Sequence, residues 1–559
     1  MSRVSPDRWL PSDGIILEPN ALDAVREVSQ HLAVIAGPGA GKTELLAQRA
    51  SFLLMTGACP PSRRILALCF KREAVRTLEE RVRRRCGEAL SARFQCVTFH
   101  SFAKSIADRF RLRISKTNRP NDDYEMVDSP KDAAPPQIYS FDDLIPLCQE
   151  VFASTPQLNR AFRATYGFVL LDEFQDCTEQ QYGLIRAIFL GQPSLLTAVG
   201  DQKQRIMGFA KALPDALSSF AKDFHASRRI LYQNHRSQPR VRRLLFELVK
   251  TLSPGDEGIQ PIGEGGDVVF PGFVDRVGEA NAVLGIVQAW VAEGTPLHEI
   301  AIFSRQKTTE VSEAVRRTLS QGGVLYRDES KSHNELNEPL ARALICLLVI
   351  VTRGSSPEAW GELLYLLKSA HRVGSEDDAE QYNLSRKLGR HVRAFRKAVV
   401  GKPAVEHFRG ALKLIKEVFT LERIRANWPQ FAKLSFVRKV RRVVDESWTE
   451  AAARCPSLAE AADQLNGVGI VRILNLHKCK GMEFDRVIVL GVEPGEFRGD
   501  TKADVQRELF VAVSRARKSL LMTRCAERQG QHYSRANASV YGIKWLEDAL
   551  HTMGVSVPK

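Results

Sequence analysis

The segment "LAVIAGPGAGKTELLAQRA" constrains the fold of this chain more than any other stretch. Its apolar run at 32–36 predicts a strand, and a Gly-rich turn separates that strand from a helix that begins at about Lys42. Backbone N–H groups of such a turn, with the helix N-terminus behind them, form a cradle for phosphate groups. In that arrangement the Lys42 ammonium reaches the β- and γ-phosphates, and the Thr43 hydroxyl holds Mg²⁺. The segment therefore predicts a P-loop nucleotide site.

The turn departs from the strict P-loop pattern at one position, where Ala36 replaces a glycine. The rest of the pattern stands in the required strand–turn–helix context. We expect nucleotide contacts from the whole turn and the start of the helix, which comprise Gly37, Pro38, Gly39, Ala40, Gly41, Lys42, Thr43 and Glu44.

A second apolar run, 168–171, stops abruptly at two adjacent carboxylates, Asp172 and Glu173. A P-loop ATPase places a parallel strand with this ending beside the phosphates. Asp172 is then predicted to hold Mg²⁺ through water, and Glu173 to orient and deprotonate the attacking water. Gln175 and Asp176 follow, and we expect them to tie this strand end to its neighbours.

The 559 residues predict two to four domains, and the apolar fraction of 44% is enough for each to bury a core. Strand-like runs alternate with helical stretches in two zones, about 30–230 and about 295–350 resuming at about 470–545, which predicts two parallel-sheet domains. The polar, Pro-rich stretch at 115–137 is expected to lack fixed structure. The apolar run "LARALICLLVIV" at 340–351 is too short to span a bilayer, so it predicts a buried helix.

Lys and Arg number 80 against 65 Asp and Glu, and this excess favours polyanionic partners, nucleic acid first. The segment 386–445 holds 17 Lys or Arg but only four Asp or Glu. It is either a solvated helix face or a surface that binds duplex DNA or a protein partner. The ten cysteines include no Cys-x-x-Cys pair and no cluster with zinc spacing. The N-terminal residues include no apolar signal segment. Together with the cysteine spacing, this predicts reduced thiols in a cytoplasmic protein.

The heptapeptide "LLDEFQD" (170–176) resembles motif II of the UvrD/Rep-like superfamily 1 (SF1A) DNA helicases. Other segments resemble the remaining motifs of that family in the same order. They are "LALCFKREAVRTLEERV" (66–82) for motif Ia, "VTFHSFA" (97–103) for the next DNA-contacting motif, "VGDQKQRIMGF" (199–209) for motif III, "LYQNHRS" (231–237) for motif IV, "EIAIFSR" (299–305) for the strand that follows, "ILNLHKCKGMEFDRVIVLG" (473–491) for motif V and "ELFVAVSRARKSL" (508–520) for motif VI. The resemblance covers residues from about 17 to 520.

The resemblance implies an α/β fold with two RecA-like P-loop motor domains, each carrying a mainly helical inserted subdomain. The implied boundaries are 1–104 plus 165–230 for the first motor domain, 105–164 for its insertion, 231–351 plus 466–559 for the second motor domain and 352–465 for its basic helical insertion. The implied activity is ATP-dependent translocation on single-stranded DNA and 3′–5′ unwinding, with ATP and Mg²⁺ required. The implied DNA partners are single strands and junctions between single and double strands.

By the same resemblance, Arg236 and Arg515 are the two arginines that face the γ-phosphate, and the second motor domain supplies both. Gln204 senses the γ-phosphate and, with His477, passes closure of the cleft to the DNA side. An arginine in this role is typically worth ~10³–10⁵ in rate. Further nucleotide contacts are implied for His235, Gly481 and Glu483, the last at the ribose.

Aromatic side chains are expected on the DNA track, because single-stranded bases stack on them with little sequence preference. Phe70 and Phe209 fall at the stacking positions of the family, and Phe99 and His100 lie in the next DNA motif. The full set implied to bind DNA is Phe70, Arg72, Phe99, His100, Phe209 and His477.

The chain also departs from the family. Ala21 stands where the family has the glutamine that reads adenine, and His235 stands where motif IV of the family has a tyrosine that stacks on adenine. The other altered positions are Lys71 and Arg72 in motif Ia and Met207, Phe209 and Ala210 in motif III. The phosphate and metal chemistry is thus kept, whereas base reading and part of the DNA track are changed.

These departures leave an alternative open. The chain could be a nucleotide-gated ATPase subunit that binds DNA or a partner and unwinds little, for example the helicase-like subunit of an anti-phage defence complex. A separate partner nuclease would then cut the DNA, because no metal-nuclease constellation is evident in the sequence. DNA repair is the broad role of the family.

Overall fold

The computed structural model describes residues 3–121, 124–127, 133–205, 213–253, 260–305, 308–329, 335–371, 373, 378–428, 431, 434–493, 502–528, 531–532 and 543–558. Their contacts group the chain into two compact units. The first unit comprises 1–270, 493–521 and 534–559, and the second comprises 271–492 and 522–533. The predicted motor domains and insertions were defined from sequence motifs, whereas these two units are defined by contacts. The predicted domain boundaries therefore stay a prediction.

A parallel sheet with helices on both faces forms the centre of the first unit. Its elements up to residue 252 are, in chain order, α1 (Pro19–Arg26), β1 (Leu32–Ala36), α2 (Lys42–Met55), β2 (Arg64–Cys69), α3 (Arg72–Ser91), β3 (Phe94–Thr98), α4 (Phe99–Arg109), β4 (Glu125–Val127), β5 (Ile138–Ser140), α5 (Leu144–Ser154), α6 (Pro156–Thr165), β6 (Tyr166–Leu171), α7 (Glu179–Phe189), β7 (Leu195–Gly200), α8 (Ala216–Asp223), β8 (Ser227–Leu231) and α9 (Pro239–Leu252). The sheet order is β3-β2-β6-β7-β1-β8, with every pair parallel. The carboxyl ends of β6, β7 and β1 therefore meet at one edge of the sheet.

Strand β6 shows why this sheet reads as continuous apolar runs in the sequence. Successive side chains of a strand point to opposite faces. Phe168 and Leu170 join the core that contains α1 and α2, whereas Val169 and Leu171 join the core that contains α4, α5 and α7. Because both faces are covered, neither can be polar. The strand predicted at 32–36 and the helix predicted from Lys42 are confirmed.

The expectation that 115–137 lacks fixed structure is wrong in part. Strand β4 pairs in parallel with β5, and the Tyr124 hydroxyl donates a hydrogen bond of 2.6 Å to Asp108. Met126 and Tyr139 are buried in the core of the first unit, which offsets the cost of ordering a polar segment. Residues 122–123 and 128–132 lie outside the described residues.

The remaining elements follow in chain order. They are β9 (Asp267–Val269), β10 (Gly272–Phe273), α10 (Arg276–Ala292), β11 (Ile300–Ser304), α11 (Thr308–Val311), α12 (Glu313–Gln321), β12 (Tyr326–Asp328), α13 (Pro339–Arg353), α14 (Pro357–His371), α15 (Asp378–Val399), α16 (Ala404–Val418), α17 (Leu421–Asn427), α18 (Leu434–Arg454), α19 (Leu458–Asn466), β13 (Val471–Asn475), β14 (Phe484–Val489), α20 (Lys502–Val513), β15 (Ala516–Met522), β16 (Arg524–Cys525), β17 (Glu527–Arg528), β18 (Gln531–His532) and α21 (Ile543–Thr552). In the first unit β9 pairs with β15 in parallel. In the second unit the parallel strands run in the order β12-β13-β11-β14, so the predicted α/β class with parallel sheets is confirmed.

A helical core fills the rest of the second unit. Helix α13 carries the run 340–351, whose side chains are buried except for Arg342, so the predicted buried helix is confirmed. The Arg342 guanidinium pairs with both carboxylate oxygens of Glu362, at 2.9 and 2.6 Å. Helices α14 to α19 pack around α13 and make the stretch 352–465 mainly helical, as predicted. Among the helices that the structure describes, none has the length and apolar character needed to cross a membrane.

Candidate active site

The P-loop follows β1 and wraps into the start of α2. Gly39 and Gly41 have φ of 72° and 76°, a region that L side chains rarely adopt. A Cβ at Gly39 would lie 2.7 Å from Cβ of Arg236, so only glycine allows the segment after β8 to approach. That segment is held in place because the His235 N–H donates to the Gly39 carbonyl at 3.0 Å.

The predicted lysine and carboxylates meet at the edge of the sheet. The Lys42 ammonium, whose side chain is 11% exposed, lies 3.9 Å from Oε1 of Glu173. Glu173 has a φ of 46° and follows Asp172, whose Oδ1 accepts the Glu173 N–H at 3.0 Å. Asp172 is buried, and burial, followed by the neighbouring charge of Glu173, raises its pKa to about 7.

The residues predicted to hold Mg²⁺ fit that ion. Thr43 lies in the first turn of α2, and the Asp172 N–H is fixed by a 3.1 Å hydrogen bond to the carbonyl of Leu68. A hydroxyl and a carboxylate are oxygen donors, which Mg²⁺ prefers. Burial disfavours the charged form of Asp172 and raises its pKa, and a bound cation would favour the charged form. Thr43 and Asp172 are therefore the residues that would hold the ion.

A line of hydrogen bonds runs from the second carboxylate to an arginine of motif VI. Nε2 of Gln175 donates to Oε2 of Glu173 at 2.5 Å, and Oε1 of Gln175 accepts the Asp201 N–H at 2.9 Å. The Asp201 carboxylate accepts from Nε2 of Gln204 at 2.8 Å. Oε1 of Gln204 in turn accepts from Nη2 of Arg515 at 2.9 Å. The prediction that Gln175 ties the strand end to its neighbours is confirmed.

The two predicted arginines meet at Ser514. Nη2 of Arg515 donates to the Ser514 hydroxyl at 2.7 Å, and its Nε donates to the Val511 carbonyl at 3.0 Å. Nη1 of Arg236 donates to the Ser514 carbonyl at 3.2 Å. Arg515 is 2% exposed and is therefore held inside the protein. The arginines, Gln204 and the P-loop all belong to the first unit.

A cavity of about 340 Å³ adjoins the P-loop. The residues that line it include Gly37, Pro38, Lys203, Tyr232, Gln233, Asn234, His235 and Arg242. It combines apolar walls from α9 with polar groups from the segment after β8, which suits the base and sugar of a nucleotide.

Helix α1 offers this region few groups for reading a base. Ala21 is buried and has no amide. Nδ2 of Asn20 donates to the Ile230 carbonyl at 2.8 Å. The Glu18 carboxylate accepts the N–H groups of Tyr232 and Gln233, at 3.0 and 3.3 Å, and burial raises its pKa. The polar side chains of this helix end are thus bonded to the backbone after β8.

Two residues at the site differ from what the sequence predicted: one had no predicted role, and the other has different contacts. Lys203 is buried, lines the cavity and lies 3.2 Å from Asp201, but nothing in the spacing of the motifs assigns it a role. Glu44, a predicted nucleotide contact, has its carboxylate paired with Arg81 and Arg85 of α3, at 2.9 and 2.7 Å. The density of arginines on α3 was the available signal for this pairing.

The residues predicted to bind DNA are only partly described. Phe70 is half-buried and packs against Phe99, with ring centroids 5.2 Å apart. Phe99 is 1% exposed, so it presents no face to a base in this structure. His100 lies edge-on to Phe141 at 5.9 Å, and burial lowers its pKa.

Other predicted contacts lie elsewhere or outside the described residues. Phe209, Met207, Ala210 and the side chain of Arg72 are not among the described residues. His477, Gly481 and Glu483 lie in the second unit, between β13 and β14. The proposed roles of these three residues stay predictions.

A parallel sheet with a P-loop after β1, an Asp-Glu pair at the end of β6 and a line of hydrogen bonds from that pair to Arg515 defines a P-loop ATPase. The family comparison narrows this class. The family model described as the UvrD/REP helicase N-terminal domain matches residues 17–134 and 132–225, and the model of the UvrD-like helicase C-terminal domain matches residues 450–527. The chain belongs to the UvrD/Rep-like family of superfamily 1 DNA helicases, and its enzyme class is that of ATP-dependent DNA helicases.

Three curated proteins illustrate the similarity. The putative ATP-dependent DNA helicase YjcD of Bacillus subtilis (strain 168) is 23% identical, over 95% of this chain and 82% of its own length. The probable DNA helicase II homolog of Mycoplasma capricolum is 22% identical, with coverages of 91% and 84%. The ATP-dependent DNA helicase PcrA of Staphylococcus aureus (strain MRSA252) is 22% identical, with coverages of 90% and 83%.

Proposed function

We propose that this chain is an ATP-driven translocase on single-stranded DNA that unwinds duplexes with 3′–5′ polarity. In this proposal ATP is hydrolysed in a cleft between two RecA-like motor domains, 1–104 with 165–230 and 231–351 with 466–559. The segments 105–164 and 352–465 are their inserted subdomains. The observation that carries the proposal is that Lys42 of the P-loop lies 3.9 Å from Glu173, and that a line of hydrogen bonds leads from Glu173 through Gln175, Asp201 and Gln204 to Arg515.

The side chains divide the work of hydrolysis by their chemistry. Lys42 binds the β- and γ-phosphates, and Glu173 accepts a proton from the attacking water. Arg236 and Arg515 stabilise the charge that develops on the transferred phosphoryl group. Bound Mg²⁺ supplies neutralisation of charge on the phosphate oxygens. Gln204 is the group that senses the γ-phosphate, because it already contacts Arg515.

The experiment measures ATP hydrolysis by the purified full chain with and without single-stranded DNA. We expect low turnover alone and a strong increase with DNA, because the catalytic groups come from two domains that DNA helps to close on each other. Duplex DNA without single-stranded ends serves as the control. Equal turnover with and without single strands would remove the motor from this proposal.

A second experiment separates the motor from the nucleotide-gated subunit. If DNA stimulates hydrolysis but no strand is displaced from any tailed duplex, the chain is the ATPase subunit of an assembly. In that case a partner nuclease encoded beside it is the first candidate, and a role in defence against phage would follow from that neighbourhood. Strand displacement by the chain alone supports the helicase, and the genes beside it then distinguish the family's broad role in DNA repair from a role in defence.

A further inference from the structure

The side chain of Gln175 joins two parts of the site that the sequence treats separately. It lies just after β6, is fully buried and bonds on one side to Glu173 and on the other to Asp201 at the end of β7. The burial of this polar amide does not serve the packing of a helix or strand, because its hydrogen bonds go to the Glu173 carboxylate and to the backbone of motif III.

The chemistry of the partners fixes the orientation of the amide. A backbone N–H can only donate, so Oε1 of Gln175 must face Asp201. Nε2 must then face Glu173, where it donates into the carboxylate at 2.5 Å. Rotating the amide by half a turn would place a donor against a donor and break both hydrogen bonds. Gln175 therefore holds Glu173 in one position relative to Asp201.

The same logic applies to the next amide in the line. The guanidinium of Arg515 can only donate, so Oε1 of Gln204 must face it. Nε2 of Gln204 must then face the carboxylate of Asp201. Two amides with forced orientations are thus joined through a single aspartate, which uses its N–H for one and its carboxylate for the other.

The surroundings leave little room for this line to move. Asp201 is fully buried and also accepts a contact from the Lys203 ammonium at 3.2 Å. A Cβ at Gly200 would lie 3.0 Å from the backbone nitrogen of Gln175, so β7 packs directly on the turn after β6. A displacement of Arg515 would pull on Gln204 and, through Asp201, on the turn after β6.

We infer that Gln175 is a positioning residue that links the general base Glu173, through Asp201 and Gln204, to Arg515, so that the arginine and the base are placed together. The inference rests on the proposed function and adds a residue to its mechanism. The cost of misplacing a catalytic group by about 1 Å can reach about 100-fold in rate.

The test is a double-mutant cycle on ATP hydrolysis at saturating single-stranded DNA. We expect Gln175→Leu to lower kcat about 10- to 100-fold while KM for ATP changes less than about threefold, because binding groups on the P-loop are untouched. Gln204→Leu lowers kcat as well. If the residues act as one line, the double variant is no slower than the slower single variant. If the two losses multiply, the inference is wrong.

A matched control and a second variant guard against a folding defect. Gln181 is also buried, and among the described residues its side chain bonds to Thr178 at the start of α7 and to no group of the candidate site, so Gln181→Leu should lower the melting temperature without lowering kcat. Any change that Gln181→Leu causes in kcat should multiply with the change caused by Gln204→Leu, because the two side chains do not act together.

Gln175→Glu keeps the acceptor for Asp201 and removes the donor to Glu173. We expect its kcat to be as low as that of Gln175→Leu, and wild-type kcat in either variant would overturn the inference.

The outcome is distinguishable from failure of the proposed function. If the wild-type chain shows no DNA-stimulated hydrolysis, the proposed function fails before any variant is compared. If the wild type hydrolyses ATP and Gln175→Leu does so equally well, only the positioning role fails.

Discussion

At the scale of single residues, the site contains groups whose roles differ although they touch. Lys42 and Glu173 lie 3.9 Å apart across the cradle. In the proposed mechanism Lys42 contributes to binding, because its charge would face the phosphates in every state of the reaction. Glu173 would contribute to the chemical step, where a proton moves. Substitutions at the two positions should therefore separate affinity from turnover.

We predict that Lys42→Ala and Glu173→Gln both abolish hydrolysis but differ in ATP binding. Loss of the ammonium removes phosphate contacts, so the affinity for ATP falls. The amide of Glu173→Gln keeps the shape of the side chain, so ATP and DNA stay bound. Equilibrium binding of a fluorescent ATP analogue measures the difference. Normal turnover by the Glu173→Gln variant would show that another group is the base.

A second residue-scale prediction concerns the base of the nucleotide. Ala21 cannot read adenine, and the Asn20 amide that could replace it is bonded to the Ile230 carbonyl. His235 can stack, but stacking tolerates any base. We therefore expect kcat/KM for ATP, GTP and CTP to differ little at saturating single-stranded DNA. A preference for ATP above about 10³-fold, typical of a dedicated hydrogen-bonding pocket, would contradict this. Asn20→Ala would then be the first variant to test.

At the scale of elements, helix α15 of the basic segment has one buried apolar face and one exposed cationic face. Its buried side chains recur at helical spacing and join the core of the second unit at Leu384, Leu388, Val392, Phe395 and Val399. The opposite face carries four exposed cations with spacings of four, three and four residues, namely Arg386, Arg390, Arg393 and Lys397. They span about 16 Å of helix. Within the described part of the chain, no acidic side chain forms a salt bridge with any of the four.

Helix α18 is basic in a different way. Arg438, Lys439, Arg441 and Arg442 are all exposed. Lys439 pairs with Glu335 at 2.6 Å, and Arg442 lies 3.9 Å from Glu446. Two of its four charges are thus partly neutralised within the protein, so α15 offers the stronger attraction for phosphate.

We predict that reversing Arg386, Arg390, Arg393 and Lys397 to Glu flattens the salt dependence of DNA affinity. Each phosphate neutralised on a single strand contributes about −0.7 to the slope of log K against log salt. Reversal of Arg438, Lys439, Arg441 and Arg442 is the comparison, and it should flatten the slope less. Fluorescence anisotropy across a salt series measures both. Unchanged slopes in both variants would assign the segment to a protein partner or to a solvated face.

At the scale of the whole molecule, the two units are built by different packing. The first unit buries a parallel sheet between helices on both faces, and its sheet edge carries the nucleotide site. The second unit combines parallel strands with a helical core around α13, and its helices carry much of the excess positive charge.

We predict that the full chain displaces a strand from a duplex with a 3′ single-stranded tail and not from one with a 5′ tail. The Glu173→Gln variant is the control, because it should bind the same substrate without displacing the strand. Gel separation of the strands after incubation with ATP measures the product. Displacement only from the 5′-tailed duplex would contradict the proposed polarity.

The sequence by itself determined the strand–turn–helix of the P-loop, the Asp-Glu strand end, the buried helix at 340–351 and the family. These features depend on local residue order, because backbone conformation and apolar periodicity act over short segments. The order of the motifs also predicts that Gln204, Arg236 and Arg515 act at one site. In the structure Gln204 bonds to Arg515, and Arg236 bonds to the carbonyl of the adjacent Ser514.

Only the tertiary structure decided which groups each side chain contacts. In the folded chain the Asn20 amide donates to a carbonyl of β8, the Glu44 carboxylate pairs with arginines of α3, and Phe99 lies in the core against Phe70. Part of 115–137 is also ordered by the pairing of β4 with β5. The link from Gln175 to Arg515 spans 340 positions of the chain, and a contact at that separation depends on how the strands and helices pack, which no local pattern encodes.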